Sequence, residues 1–227
     1  QDTKVAVVAR NIDIKAEGTL DNGLVAGVDA KLMLGNDWNT TSQSTATFRQ
    51  LFAYLEGGFG KFEIGGTDGA AYKMHYTSPW FVPGNGVDSP NIYNGVSAKS
   101  GATSSPEVRT STFSLLATDS NKVSYFTPRL AGFQLGVSFT PETGNHNPKA
   151  NGLTLVSKNS SIQNVFELAA NYAGTLGGVD VGVDGFYTTG DAPSSGQGSP
   201  EEYGVGANLG YAGFTLGGAW YQSQDLD

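Results

Sequence analysis

The sequence predicts an all-β chain that crosses a membrane as an antiparallel β-barrel, and three observations carry that prediction. Short segments that alternate apolar and polar residues recur along most of its 227 residues, as strands do when one face is apolar and the other wet. Their connections alternate between tight turns and longer loops, the arrangement of a barrel turned short at one end and long at the other. The composition agrees: 32 glycines are about twice ordinary usage, only 15% of residues are charged, and the mean hydropathy is slightly negative. No run approaches the roughly 18 apolar residues that suggest a spanning helix. With no cysteine, disulfides and thiolate metal sites are excluded, and a net charge of −8 argues against a nucleic-acid partner.

The clearest alternation is residues 11–20, where Asn11, Asp13, Lys15, Glu17 and Thr19 face away from Ile12, Ile14, Ala16, Gly18 and Leu20. Asp21-Asn22-Gly23 is a tight-turn signal, and residues 24–34 resume the pattern, so the two form a hairpin. Residues 45–56 are a third strand, less cleanly phased, with Phe52 and Tyr54 on one face and Arg49 on the other. A glycine-rich turn leads to residues 61–66, where Phe62 and Ile64 oppose Lys61 and Glu63. After a long interruption six more strands follow, at residues 122–128, 132–140, 163–173, 179–188, 202–211 and 214–222. Five short turns and four longer loops join the ten. Tyr172, Tyr187, Tyr203, Tyr211, Trp220 and Phe62 lie near strand ends, where the aromatic girdles of a membrane barrel sit.

The interruption, residues 67–121, shows no sustained alternation and holds four of the nine prolines. A connection of that length between regular elements is commonly functional. It is read as an insertion that a barrel carries and that narrows its hole.

Three segments, LDNGLVAGVDAKL, FAYLEGGFGKFEIGGTDGAAYKM and KVSYFTPRLAGFQLGVSFTP, resemble general porins of Gram-negative bacteria, particularly those of alphaproteobacterial type. The resemblance implies a trimeric, sixteen-stranded, water-filled barrel in the outer membrane, in contact with lipid and lipopolysaccharide and needing no cofactor. Its third extracellular loop folds inward, and residues 67–121 match that loop in position and length. Porins of this type end in a strand that closes on an aromatic residue, whereas this sequence stops at Gln224-Asp225-Leu226-Asp227, and ten strands fall short of sixteen, so the chain is expected to be incomplete at its C-terminus. A closed ten-stranded barrel is the alternative, but its lumen is too narrow for a loop of this length.

Lys15, Lys31, Arg49 and Lys61 lie on the four consecutive strands before the insertion, all in the polar phase, and Asp68, Asp88 and Glu107 lie within it. One reading is a basic pore wall opposed by loop acids, a transverse field that orients dipolar solutes. The plainer reading pairs each basic residue with a neighbour such as Asp13, Glu17, Asp29 or Glu63. Acidic residues outnumber basic ones 21 to 13, and Glu167, Asp180 and Asp184 lack basic neighbours in sequence, so weak cation preference is expected. No catalytic or metal motif emerges. His75 and His146 are isolated, and the Gly204, Gly206 and Gly210 series fits glycines facing a lumen better than a nucleotide loop. The function expected is passive diffusion of small hydrophilic solutes and ions. The alternatives are a barrel enzyme, for which no nucleophile–base set presents itself, and a soluble β-domain binding carbohydrate through Trp38, Trp80 and Trp220.

Overall fold

The computed structural model describes residues 11–33, 47–79, 88, 111–143, 161–193 and 196–224. Ten strands form one antiparallel sheet in strict sequence order: β1 (Asn11–Thr19), β2 (Val25–Met33), β3 (Thr47–Gly57), β4 (Gly60–Gly66), β5 (Asn121–Phe126), β6 (Phe133–Glu142), β7 (Gln163–Leu176), β8 (Val179–Asp191), β9 (Glu201–Tyr211) and β10 (Phe214–Gln224). Among the described residues no ladder joins β1 to β10. The short turns are built as their residues require: Gly23, Gly60, Gly132, Gly178 and Gly213 take positive φ at the five tight corners, a conformation only glycine adopts without steric penalty.

Paired residues in an antiparallel ladder face the same way, so the register can be followed across the sheet. One row runs Glu17, Gly27, Tyr54, Glu63, Ser124, Ser138, Glu167, Thr188, Glu202 and Ser223. The row beside it runs Gly18, Ala26, Leu55, Phe62, Tyr125, Val137, Leu168, Tyr187, Tyr203 and Gln222. Burial inverts the order of a soluble sheet. Glu63 and Glu167 are each 3% exposed, whereas Phe62 and Leu168 are 47% and 45% exposed. A sheet that buries its carboxylates and presents its aliphatic and aromatic face outward suits a surrounding of hydrocarbon, with a polar interior.

Strand β3 corrects the expected phase. Tyr54 is buried on the inner, polar face, with its hydroxyl 2.5 Å from Glu17, and Phe52 lies two residues away on the same side. Arg49 nevertheless reaches that side too, because the β2–β3 register shifts between Lys31 and Leu32 and a bulge accommodates the extra residue. The insertion also contains an element that the sequence did not announce, the four-residue helix α1 (Ala70–Lys73). One turn is too short to display a helical period.

Candidate functional site

The described ends of the insertion, residues 67–79 and 111–120, lie across the inner face from β3 to β9, and the sheet's own polar groups hold them there. Beyond Gly69, the backbone N–H groups of Ala70 and Ala71 donate to Ser138 on β6 and Glu167 on β7, at 2.8 and 2.9 Å. Lys73 pairs with Glu63 on β4, and Asn171 on β7 donates to the carbonyl of Met74 at 3.2 Å. His75 and the backbone N–H of Tyr76 both reach Asp184 on β8, at 2.9 and 2.7 Å. The Asn208 amide on β9 lies 2.6 Å from the carbonyl of Thr77, and the orientation that satisfies both groups has its nitrogen donating there. On the returning arm, Ser114 donates to Glu202 on β9 and lies 3.0 Å from the Thr188 hydroxyl.

Glycines make room for this seat. A Cβ on Gly206 would overlap the carbonyl oxygen of Tyr76, one on Gly182 would come within 2.9 Å of the Tyr76 ring, and one on Gly136 would strike Met74. The alternating glycines of β9 therefore face the interior as expected, with Gly206 serving as a floor for the insertion. Beneath α1 a small apolar cluster of Ala70, Ala71, Met74, Phe126, Ala169 and Phe186 fills the gap between helix and sheet.

The neck of the insertion is closed by Lys122 on β5. Its side chain is fully buried, and Nζ donates to the carbonyls of Thr67, Ala117 (2.6 Å) and Ser120 (2.9 Å). An ammonium has three protons, so each carbonyl takes one and the departing and returning arms share a single cation.

The basic residues of the early strands occupy a different setting. Lys15 pairs with Glu17 at 2.9 Å and Lys61 with Glu63 at 2.9 Å, the neighbours that the plainer reading supplies. Lys31 stands opposite Asp13 on β1 and Gln50 on β3. Arg49 pairs with Asp119 at 2.6 Å, and Gln50 bridges Asp119 and Asp68 at 2.5 and 2.9 Å. Arg49 and Asp68 are thereby brought into one cluster. Asp88 is buried and, among the described residues, accepts from the backbone N–H and hydroxyl of Thr112. Glu107, His146, Trp38 and Trp80 lie outside the described residues, and Trp220 stands on the outer face opposite Val205.

Sequence reasoning missed Asp119 and the role of His75. Asp119 sits in a run of turn formers and takes a left-handed φ of 57°, which aspartate tolerates; that local signal was readable, its Arg49 partner was not. Nothing in the sequence links His75 to Asp184, 109 residues away. Glu167 and Asp184 also depart from expectation: they are buried acceptors for the insertion, not free lumen carboxylates.

Between α1 and the short turns a cavity of about 650 Å³ remains, lined by Glu56, Lys61, Glu63, Lys73, Arg129 and Gln134 among others. Burial pushes the Lys73 ammonium below the ordinary lysine value, with Glu63 pulling the other way. Burial also raises the Tyr72 phenol to about 12, with Asp68 adding to the effect.

A family model described as Gram-negative porin matches residues 2–227. The chain belongs to the Gram-negative porin family. Uncharacterized proteins of Rickettsia conorii and Rickettsia typhi are each 29% identical to this porin chain, over 151 and 179 residues, or 60% and 69% of it. Those alignments take in 34% and 37% of the relatives, so the chain spans about a third of the length of the curated relatives it matches. A porin refined at 1.8 Å is similar at 17% identity and TM-score 0.49, covering 92% of this chain and 58% of that one. A mutant of Rh. blastica porin is similar at 11% identity and TM-score 0.39, covering 94% and 89%. Likenesses this loose transfer no residue roles.

Proposed function

We propose that the protein is an outer-membrane diffusion channel for small hydrophilic solutes and ions, with residues 67–121 as its constriction loop. The observation that carries the reading is the inverted sheet: an exposed apolar face, and a polar face across which the insertion is laid. In this reading 1–227 is one barrel domain, lipid and lipopolysaccharide cover the outer face, and the channel is a homotrimer of barrels completed to sixteen strands. Lys15, Lys31, Arg49 and Lys61 form one wall of the passage, and Asp68, Asp88 and Glu107 belong to the loop that faces it.

Selectivity is proposed to be weakly cationic. Its support is the excess of acidic over basic residues, 21 to 13. Glu167 and Asp184 add little, since their charges are spent on the insertion. The charges that remain in reach of solutes sit in an aqueous lumen, where the Debye length is about 8 Å at physiological salt, so the preference grows as salt is lowered.

Planar-bilayer recording of the full-length protein tests the reading. Discrete ohmic steps are expected, and deleting residues 78–106 is expected to raise their size while the barrel still folds. Unchanged conductance after the deletion would place the loop outside the passage. A protein that stays monodisperse in plain buffer without detergent would end the membrane reading altogether.

A further inference from the structure

A line of hydrogen-bonding groups crosses the insertion where it rests on β8. Oδ2 of Asp184 is 2.9 Å from Nδ1 of His75, and Nε2 of His75 is 2.9 Å from Oγ1 of Thr112. The Thr112 hydroxyl and backbone N–H both bond Asp88, and the second oxygen of Asp184 accepts the N–H of Tyr76. The imidazole is fully buried, with Phe113 and Phe186 meeting it edge-on at 5.6 and 5.0 Å.

The order Asp184, His75, Thr112 has the geometry of a nucleophile–base set, but the ring is sealed from solvent and the threonine hydroxyl already gives its proton to Asp88. A proton count assigns the group another role. Ionised carboxylates only accept, and a hydroxyl has one proton. With Asp88 and Asp184 ionised, Thr112 gives its proton to Asp88 and accepts from Nε2, and Asp184 accepts from Nδ1. Both ring nitrogens then donate, which makes the ring an imidazolium held between Asp184 and the Thr112 hydroxyl.

We propose that His75 is a proton-dependent positioning residue of the channel: as an imidazolium it ties both arms of the insertion to β8, and loss of its proton loosens them and widens the passage. The proposal rests on the channel reading above. The titratable groups about the latch are Asp184 on β8, Asp88 and Tyr76 in the insertion, and Glu167 on β7, which binds the N–H of Ala71. Glu63 and Lys73 line the same cavity as His75. The sign follows from the proton count. The latch is complete while the ring holds two protons, and as pH rises one nitrogen becomes a bare acceptor facing a carboxylate or an oxygen that has no proton to offer. A buried polar pair without a proton between them is repulsive and cannot be relieved by water.

Conductance and current noise of the full-length protein are compared from about pH 5 to about pH 9, a range that spans ordinary histidine titration. The native protein is expected to become larger in conductance and noisier at the alkaline end, and H75Q is expected to lose that response, since glutamine offers a donor and an acceptor but no titrating charge. An alkaline effect that does not pass through the ring appears in both proteins and cancels in the comparison. Thr112→Val, which removes the acceptor for Nε2, is expected to lose the response as well and covers the case in which H75Q does not fold. In parallel, the ring nitrogens are read by 15N spectroscopy in micelles and assigned through H75Q, with both expected to be protonated in neutral solution. One bare nitrogen at neutral pH, or a native pH response that H75Q and Thr112→Val both reproduce, overturns the proposal. If the protein carries no current the channel reading fails, and the nitrogen spectrum still decides the state of the ring.

Discussion

The inner face has two halves that use the same residue types differently. On β1–β4, most charged and phenolic groups pair with one another along the wall: Lys15 and Tyr54 with Glu17, Lys61 with Glu63, and the Lys61 ammonium 4.5 Å from the centre of the Tyr54 ring. Arg49, Gln50 and Glu63 also touch the insertion's edge at Asp119, Asp68 and Lys73. On β6–β9, Ser138, Glu167, Asp184 and Glu202 hold the insertion instead, and all four side chains are buried. Glu17 in the first half stays within reach of a solute, whereas Glu63 is buried and shared between Lys61 and the insertion's Lys73. A carboxylate in the second half is a structural acceptor, as much a part of the fold as a ladder hydrogen bond. The charge written along a strand is therefore not the charge that a passing ion meets.

The seated half should be the fragile one, and its floor the most sensitive point. Gly206→Val places a branched side chain where the Tyr76 carbonyl lies. Backbone cannot yield as a side-chain tip does, so the cost should reach or exceed the roughly 1–3 kcal/mol typical of overpacking. The expected outcome is an unseated insertion on an intact sheet: faster proteolysis within residues 67–121 in micelles, and a larger single-channel conductance. Gly18→Ala, in the outward-facing row of β1 where nothing lies within 4 Å of the added carbon, is the control for loss of a strand glycine and should change neither. Equal effects from the two would mean that the floor at Gly206 is no more sensitive than an open strand position.

Next in size is Lys122→Met. It takes the ammonium donor from the carbonyls of Thr67, Ala117 and Ser120; the last keeps the Thr67 N–H at 3.4 Å, and the other two cost about 1–3 kcal/mol for each group left unsatisfied, partly offset by the end of the desolvation cost of the charge. The urea midpoint for loss of the insertion's protection should fall below that for loss of the sheet. If both midpoints move together, the neck is part of the barrel's own cooperative unit and not a separate clamp.

How much of this could be read in advance depends on the range of the interaction. Strand positions were legible within a few residues because alternation is local and the turns at Asn22-Gly23 and Gly177-Gly178 announce themselves. The outward direction of Phe62, Leu168 and Val137 follows from the same alternation. Alternation alone does not put Arg49 on the polar face: it gets there through a bulge, and Tyr54 and Phe52 share that face. The seat was not legible at all. Ser138, Glu167 and Asp184 read as ordinary polar positions on a lumen face, and only the fold brings them to backbone groups some 68 to 108 residues away.

The smallest effect expected is on selectivity, and it probes the open half. Replacing Arg49 and Lys61 by glutamine removes the cation paired with Asp119 and one of the two paired with Glu63, while Lys73 keeps its hold on the latter. Side-chain exposure of 47% for Arg49 and 32% for Lys61 leaves both cations partly solvated, while their partners Asp119 and Glu63 are 15% and 3% exposed. Gln50 still donates to Asp119 and Lys73 still pairs with Glu63, so the barrel should still fold, with a small loss of stability. The lumen, however, loses two positive charges where Asp119 and Asp68 already lie, and rings of carboxylates favour cations in a pore. At about 1 kcal/mol for unit charges in water at close range, the cation-to-anion permeability ratio should rise by no more than about tenfold, and the rise should shrink as salt is added. Reversal potentials in a salt gradient read it directly. A native protein that prefers anions, or a double variant with an unchanged reversal potential, would mean that these two basic residues do not face the conducting path.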